Sequence, residues 1–122
     1  MRWQSYGVSE NTASIGSTLT IPEVAERFGI PLGKVHRLVE EHYLAIVRID
    51  GIKRIPVEFL ADDEPLHSLR GTLLALSDAG LNEEESVNWL FTMNDELGVR
   101  PIDSLLIGHK SAVRRATQSL AF

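Results

Sequence analysis

The chain has 122 residues, enough for one compact domain or two small modules sharing a core, which excludes multidomain machinery. Hydrophobic residues make up 43% and charged residues 24%, a composition that indicates a globular protein and excludes an intrinsically disordered one. No cysteine is present, which excludes disulfides and thiolate chemistry and favours a reducing, cytoplasmic setting. We expect no membrane partner, because the sequence lacks both a run of about 18 apolar residues and a secretory signal.

The net charge of −5 disfavours a protein that coats nucleic acid through bulk charge. The acidity lies at the end of the chain: residues 61–122 carry five bases and ten acids, whereas residues 20–60 carry six of each. A basic surface is therefore available in the middle segment, provided that folding sorts its charges by face.

Residues 1–19 are rich in hydroxyl side chains and lack apolar periodicity, which predicts a flexible tail. A phosphate on this tail would add roughly two negative charges beside any basic face. The candidate phosphorylation sites are Ser9, Thr12, Ser14 and Thr18.

Two short helices are predicted next. Thr20-Ile21-Pro22-Glu23 predicts a capping box with proline in the first turn, and Gly29 predicts a left-handed helix end. Pro31 opens a second, amphipathic helix to about Glu41 or His42. Its apolar arc holds Leu32, Val35, Leu38, Val39 and His42, and its polar arc holds Gly33, Lys34, His36, Arg37, Glu40 and Glu41. Two helices joined by such a tight turn are typical of a helix-turn-helix.

Two β-rich runs around Asp50-Gly51 predict a hairpin, because both turn residues must tolerate positive φ. A two-residue loop gives the pairs Ile49–Ile52, Arg48–Lys53, Val47–Arg54 and Ile46–Ile55, with Pro56 ending the ladder. The opposed cations Arg48 and Lys53 disfavour each other unless an anion binds there. The hairpin therefore predicts a cationic wing, and residues 20–60 form a winged helix-turn-helix.

Residues 61–122 predict a C-terminal helical domain after the acidic connection Asp62-Asp63-Glu64-Pro65. One helix repeats leucine at positions 66, 69, 73 and 76, and Asn82 caps another whose first turn is Glu83-Glu84-Glu85. A short helix follows Pro101, and a last helix lies beyond Gly108. We interpret the apolar stripes as core, with a partner surface as the alternative. The predicted fold class is mainly α with a small β-hairpin, the C-terminal helical bundle packing on the winged helix-turn-helix.

From Thr20-Ile21-Pro22-Glu23-Val24-Ala25 to Arg54-Ile55-Pro56 the chain resembles the excisionase and MerR-like winged helix-turn-helix. From about Ile21 onward it more specifically resembles a family of small actinobacterial DNA-binding proteins with a mycobacterial member that is a substrate of a membrane Ser/Thr protein kinase. Trp89-Leu90-Phe91-Thr92 is the most specific shared segment. The resemblance implies DNA binding through the second helix and the wing, a family-specific helical C-terminal domain, and regulation by a Ser/Thr kinase that phosphorylates the tail.

We expect double-stranded DNA to contact residues of the second helix and the wing, namely Gly33, Lys34, His36, Arg37, Arg48, Lys53 and Arg54. Arg37 is the best candidate for a base contact, because a guanidinium can bind guanine bidentately. The alternative is a solvated face, in which Arg37 pairs with Glu41 and His36 with Glu40.

We expect no enzyme, cofactor or metal site, because the sequence has no phosphate loop, no nucleophile elbow and no histidine pair at metal-ligand spacing. The expected function is that of a transcriptional or nucleoid regulator in the cytoplasm. Residues 94–106 also resemble the partner-binding region of Xre-type antitoxins, so a protein-interaction adaptor is the alternative. A monomer and a weak dimer both stay open.

Overall fold

The computed structural model describes residues 15–120. The helices of this range are α1 (Ile21–Phe28), α2 (Leu32–Glu40), α3 (Leu69–Asp78), α4 (Glu83–Leu90), α5 (Pro101–Leu106) and α6 (Lys110–Gln118). The strands are β1 (Thr18–Thr20), β2 (Val47–Ile49), β3 (Ile52–Pro56), β4 (Leu60–Ala61) and β5 (Glu64–Pro65), and a 3₁₀ helix, Val57–Phe59, joins β3 to β4. The predicted fold class, a mainly helical winged helix-turn-helix with a C-terminal helical bundle, is confirmed.

The helix-turn-helix forms from local signals. The Thr20 hydroxyl accepts a hydrogen bond from the Glu23 amide at 3.4 Å, and the Glu23 carboxylate accepts one from the Thr20 amide at 2.8 Å. Gly29 ends α1 with a φ of 69°, a conformation in which glycine has no Cβ penalty. These contacts confirm the predicted capping box and helix end.

The second helix differs from its prediction at both ends. The residues from Pro31 to Lys34 are exposed, Leu32 at 49%, because the first turn of α2 projects beyond the core. The helix ends at Glu40, and His42 follows it with a φ of 68°. His42 therefore lies in the connecting loop and not on the apolar arc of the helix.

Three strands form the wing sheet, in the order β1-β3-β2. The β2–β3 register confirms three predicted pairs, Val47–Arg54, Arg48–Lys53 and Ile49–Ile52. Strand β1 was not predicted: it pairs with the other edge of β3, from Thr18 opposite Pro56 to Thr20 opposite Arg54. The predicted flexible tail is therefore wrong for its last residues, because a three-residue strand is too short to show an alternating pattern.

The acidic connection predicted for residues 62–65 lies in a second hairpin, β4–β5, which was not predicted. Asp62 supports its tight turn with a φ of 56°, a conformation that aspartate tolerates better than most residues. Arg27 on α1 donates from Nε to the Asp62 carbonyl at 2.7 Å. This turn is thereby attached to the helix-turn-helix.

The C-terminal helices follow the predicted order with small shifts. Helix α3 begins at Leu69, while Leu66 lies before it and donates its amide to the Phe59 carbonyl at 2.8 Å. Helix α4 begins with a capping box in which Asn82 and Glu85 exchange hydrogen bonds of 2.8 Å each. Helix α6 packs on α3 and α5, and α4 packs on α3, α5 and β2.

One hydrophobic cluster of buried residues joins the two parts of the chain. Phe59 and Phe91 are both fully buried, and their ring centroids lie 5.7 Å apart at an interplanar angle of 49°. Arg100 lies over the Phe91 ring and binds Asp103 bidentately, which lowers the pKa of the Asp103 carboxyl. The C-terminal helices thus complete the core of the winged helix-turn-helix.

None of the helices of residues 15–120 is both long and apolar enough to cross a membrane.

Candidate nucleic-acid interface

The exposed arc of α2 carries the predicted contact residues of the helix. Gly33, Lys34, His36, Arg37 and Glu40 are all exposed. At about 100° per residue, Gly33 and Arg37 lie in the middle of this arc, with His36 and Lys34 at its opposite edges. The arc therefore presents a glycine and an arginine at its centre.

The first turn of α2 has an unusual N-terminus. Pro31 stands at the N-cap and has no side-chain acceptor, so no cap occupies the amides of this turn. No atom lies within 4 Å of the position that a Cβ would take on Gly33. A ligand can therefore approach the backbone of this residue closely. The Lys34 amide donates to the Pro31 carbonyl at 3.0 Å, so the amides of Leu32 and Gly33 are the ones left for a ligand. These two amides, the helix dipole and the Lys34 side chain together favour an anion at this end.

The wing extends from the sheet through a tight turn. Asp50 and Gly51 have φ values of 54° and 79°, as a two-residue hairpin turn with positive φ at both positions requires. Arg48 and Lys53 pair directly, so both point to one face of the sheet. Arg54 is the next residue along β3 and points to the opposite face, where it is half-buried. The three wing cations therefore do not share one face, contrary to the expected single surface.

One face of the wing, one edge of α2 and the start of α4 border an open groove of about 320 Å³, which we call the wing pocket. Its lining residues are His36, Val39, Glu40, Ile46, Arg48, Lys53, Glu83 and Glu84. The structure thus brings His36 of the helix together with Arg48 and Lys53 of the wing. Gly33, Lys34 and Arg37 lie on the same helix but outside the pocket lining.

The predicted contact cations are not neutralised by direct ion pairs. In the part of the chain that the structure describes, no ion pair within 4.0 Å is formed by Lys34, His36, Arg37, Arg48, Lys53 or Arg54. The alternative pairing of Arg37 with Glu41 and of His36 with Glu40 is therefore not formed. These side chains remain able to bind an external anion.

Arg54 lies in a different electrostatic setting, near Glu23 of α1. The pKa of Glu23 is lowered, first by the hydrogen bond from the Thr20 amide, then by the Thr20 hydroxyl, and to a smaller extent by the charge of Arg54. Arg54 pairs with Thr20 in the sheet, which places it beside the start of α1, and it does not line the wing pocket. Arg54 remains a candidate for a contact with the DNA phosphate backbone beside the start of α1.

Two hydrogen bonds attach the interface elements to the C-terminal domain. Arg70 of α3 donates from Nε to the Glu41 carbonyl at 2.9 Å, and its guanidinium lies 4.7 Å from the Tyr43 ring centroid. The Ile46 amide donates to the Glu83 carboxylate at 3.0 Å, just before β2. The C-terminal end of α2 and the base of the wing are therefore both held by C-terminal helices.

The predicted phosphorylation sites fall in two places. Ser9, Thr12 and Ser14 lie outside the described residues. Thr18 opens β1 opposite Pro56, so it belongs to the sheet and not to a tail. Phosphorylation at any of the four stays a prediction.

The acidic residues of the wing pocket were not predicted there. Glu83 and Glu84 belong to the predicted acidic first turn of α4, and their approach to the wing depends on a contact between distant parts of the sequence. No local pattern could have indicated it.

Within residues 15–120, no group of three or more His, Cys, Asp or Glu side chains is arranged to hold a metal ion.

Two family models together match most of the chain. The one described as "DNA-binding protein Rv2175c, wHTH domain" matches residues 13–60, and "Rv2175c C-terminal domain of unknown function" matches residues 66–121. The DNA-binding protein Rv2175c of Mycobacterium tuberculosis is 32% identical over 118 residues, a match that covers 86% of this chain and 81% of that protein. An excisionase of Streptomyces ambofaciens is 39% identical over 44 residues, covering 36% of this chain and 71% of the excisionase.

A solved structure has the same fold. The NMR structure of Rv2175c matches with a TM-score of 0.79 and 28% sequence identity, and the match covers 100% of both chains. The similarity therefore extends through the wing and the C-terminal helices alike.

Proposed function

Because the chain belongs to the Rv2175c family of winged helix-turn-helix proteins, we propose that it binds double-stranded DNA through α2 and the β2–β3 wing. Helix α2 enters the major groove with its exposed arc, and the wing lies along the flanking backbone. Lys34 at the start of α2 binds phosphate, while Arg37 reaches a base edge.

The observation that carries this proposal is the arrangement of α2 beside the wing. Gly33 and Arg37 form the centre of the exposed arc, and the wing cations Arg48 and Lys53 flank its His36 edge. A duplex presents base edges inside the groove and phosphates at the margins of the groove. A central arginine can therefore face the base edges while the wing cations face the phosphates. Because the net charge of the chain is −5, its total charge does not attract it to DNA. The affinity must therefore come from these local cations.

The test is a fluorescence-anisotropy titration of the full chain against mixed-sequence duplex DNA at several salt concentrations. Replacing Arg48 and Lys53 together by alanine should reduce the slope of log affinity against log salt by roughly 1.8, since each phosphate contributes about 0.9. Arg37→Ala should cost about 1–3 kcal/mol and relax sequence preference at one position.

The matched control removes two cations elsewhere. Lys110 and Arg115 are exposed on α6, which packs on α3 and α5, so replacing both by alanine changes the net charge equally. This control should leave the salt slope near that of the wild type. Equal losses in both double variants would indicate a general charge effect and contradict the proposed interface.

The ratio of specific to mixed-sequence affinity decides between the two cellular roles. A ratio of about 10³ or more is typical of a transcriptional regulator, while nearly uniform affinity favours a nucleoid protein. If the wild type binds no duplex at all, the adaptor alternative replaces DNA binding. Oligomeric state can be measured on the same samples by sedimentation.

A further inference from the structure

The wing pocket holds three carboxylates against two permanently charged cations, with His36 beside them. Arg48 and Lys53 line it from the wing, and Glu40, Glu83 and Glu84 line it from α2 and α4. Two of the three carboxylates belong to the first turn of α4, in the C-terminal domain. A phosphate that approaches the wing cations from this side therefore also approaches the carboxylates of another domain.

The acidic turn of α4 is held in place by its own contacts. The Glu83 carboxylate accepts from the Ile46 amide at 3.0 Å, and α4 packs on β2. The Asn82–Glu85 capping box fixes the helix start independently. These contacts hold the acidic turn beside the wing without any contribution from a ligand.

The acidic turn lines the same pocket as the wing cations without forming ion pairs with them. Among the described residues, neither Arg48 nor Lys53 forms an ion pair within 4.0 Å, so both can still bind an external phosphate. Charges separated by less than a Debye length of about 8–10 Å still interact in physiological salt. When Arg48 and Lys53 bind a phosphate, their attraction to the DNA replaces their attraction to the carboxylates of α4.

We propose that the acidic first turn of α4 competes with the DNA backbone for Arg48 and Lys53, so that the C-terminal domain lowers affinity for DNA of every sequence. The inference rests on the proposed DNA-binding function and adds its regulation. The wing then contributes less to the binding of every duplex, while the ratio of affinities between sequences is left to the base contacts of α2. The C-terminal domain therefore sets the overall affinity for DNA.

The experiment compares Glu83→Gln/Glu84→Gln with the wild type in anisotropy titrations against mixed-sequence duplex. Glutamine keeps a side-chain oxygen that can accept the Ile46 amide, and Glu84 is exposed, so the fold should be retained. We expect the affinity to rise by roughly threefold per charge, about tenfold in total, near 50 mM salt. The gain should shrink as salt increases.

The matched control is Glu85→Gln, from the same helical turn. Glu85 does not line the wing pocket, and glutamine also supports a capping box. We expect a smaller gain from this variant than from Glu84→Gln alone. Equal gains from Glu84→Gln and Glu85→Gln would overturn the inference, because only total charge would then matter.

A second arm places Glu83→Gln/Glu84→Gln in an Arg48→Ala/Lys53→Ala background. Competition for the wing cations predicts that the gain disappears there, and an undiminished gain would overturn it. The proposed function fails separately, if the wild type binds no duplex or if its binding does not depend on Lys34 and Arg37.

Discussion

Gly33 is the residue whose identity the fold does not explain. It lies in the first turn of α2 at an ordinary helical position, and space for a Cβ is open. Glycine in a helix is destabilising relative to alanine, so the fold gains nothing from it here. Its place at the centre of the exposed arc, next to Arg37 on the helix surface, favours close approach of a nucleic-acid backbone or base edge instead.

Gly33→Ala should therefore separate stability from binding. We expect it to raise the free energy of unfolding by about 0.5 kcal/mol, as helix propensity predicts, while weakening duplex binding. Urea denaturation and anisotropy titration on the same samples measure the two effects.

Gly71→Ala on α3 is the control for this variant. Its new Cβ would lie 2.5 Å from Arg114 Nη2, so the flexible end of this side chain must move. We therefore expect a gain in stability no larger than that of Gly33→Ala, with unchanged DNA affinity. If Gly33→Ala also leaves DNA affinity unchanged, close approach at this position is contradicted.

Among the elements, those with local signals were predicted and those with distant partners were not. The Asp50-Gly51 turn fixes the hairpin register, and the Thr20 and Asn82 boxes fix two helix starts, because all their partners lie within a few residues. Strand β1 depends on β3, far along the sequence, and its three residues carry no distinctive pattern. The same holds for the Ile46–Glu83 hydrogen bond that brings acidic side chains to the wing.

The Asn82 cap gives a test at the scale of one element. Asn82→Ala removes the acceptor for the Glu85 amide and should lower the free energy of unfolding by about 1 kcal/mol. Asn82→Asp keeps an acceptor and should restore most of this stability in urea denaturation. If the aspartate variant is as unstable as the alanine variant, the cap is not the source of the loss.

At the scale of the whole molecule, the two parts of the chain share one core. Phe59 belongs to the winged helix-turn-helix and Phe91 follows α4, yet both are fully buried and in ring contact. The sequence predicted an apolar C-terminal bundle but not which residues would meet across the boundary, because contact between segments depends on packing geometry. We expect the two parts to unfold together.

Phe91→Ala tests this shared core. Removing the ring should cost about 3–5 kcal/mol, because a fully buried aromatic side chain leaves a cavity. Circular dichroism and tryptophan fluorescence should report one coincident urea transition, shifted to lower urea in the variant. The exposed Met93, replaced by alanine, should change stability by less than about 0.5 kcal/mol. Separate transitions for the two probes would contradict a shared core.

The hydrogen bond from Arg70 to the Glu41 carbonyl has a consequence for the energetics of recognition. It anchors the C-terminal end of α2 to α3, and the Arg70 guanidinium also stacks on Tyr43. The orientation of the helix is thus preorganised during folding, and the entropy of immobilising it is already lost when a duplex arrives. Association then resembles the docking of a rigid body. A larger part of the free energy gained from each contact with DNA therefore contributes to affinity.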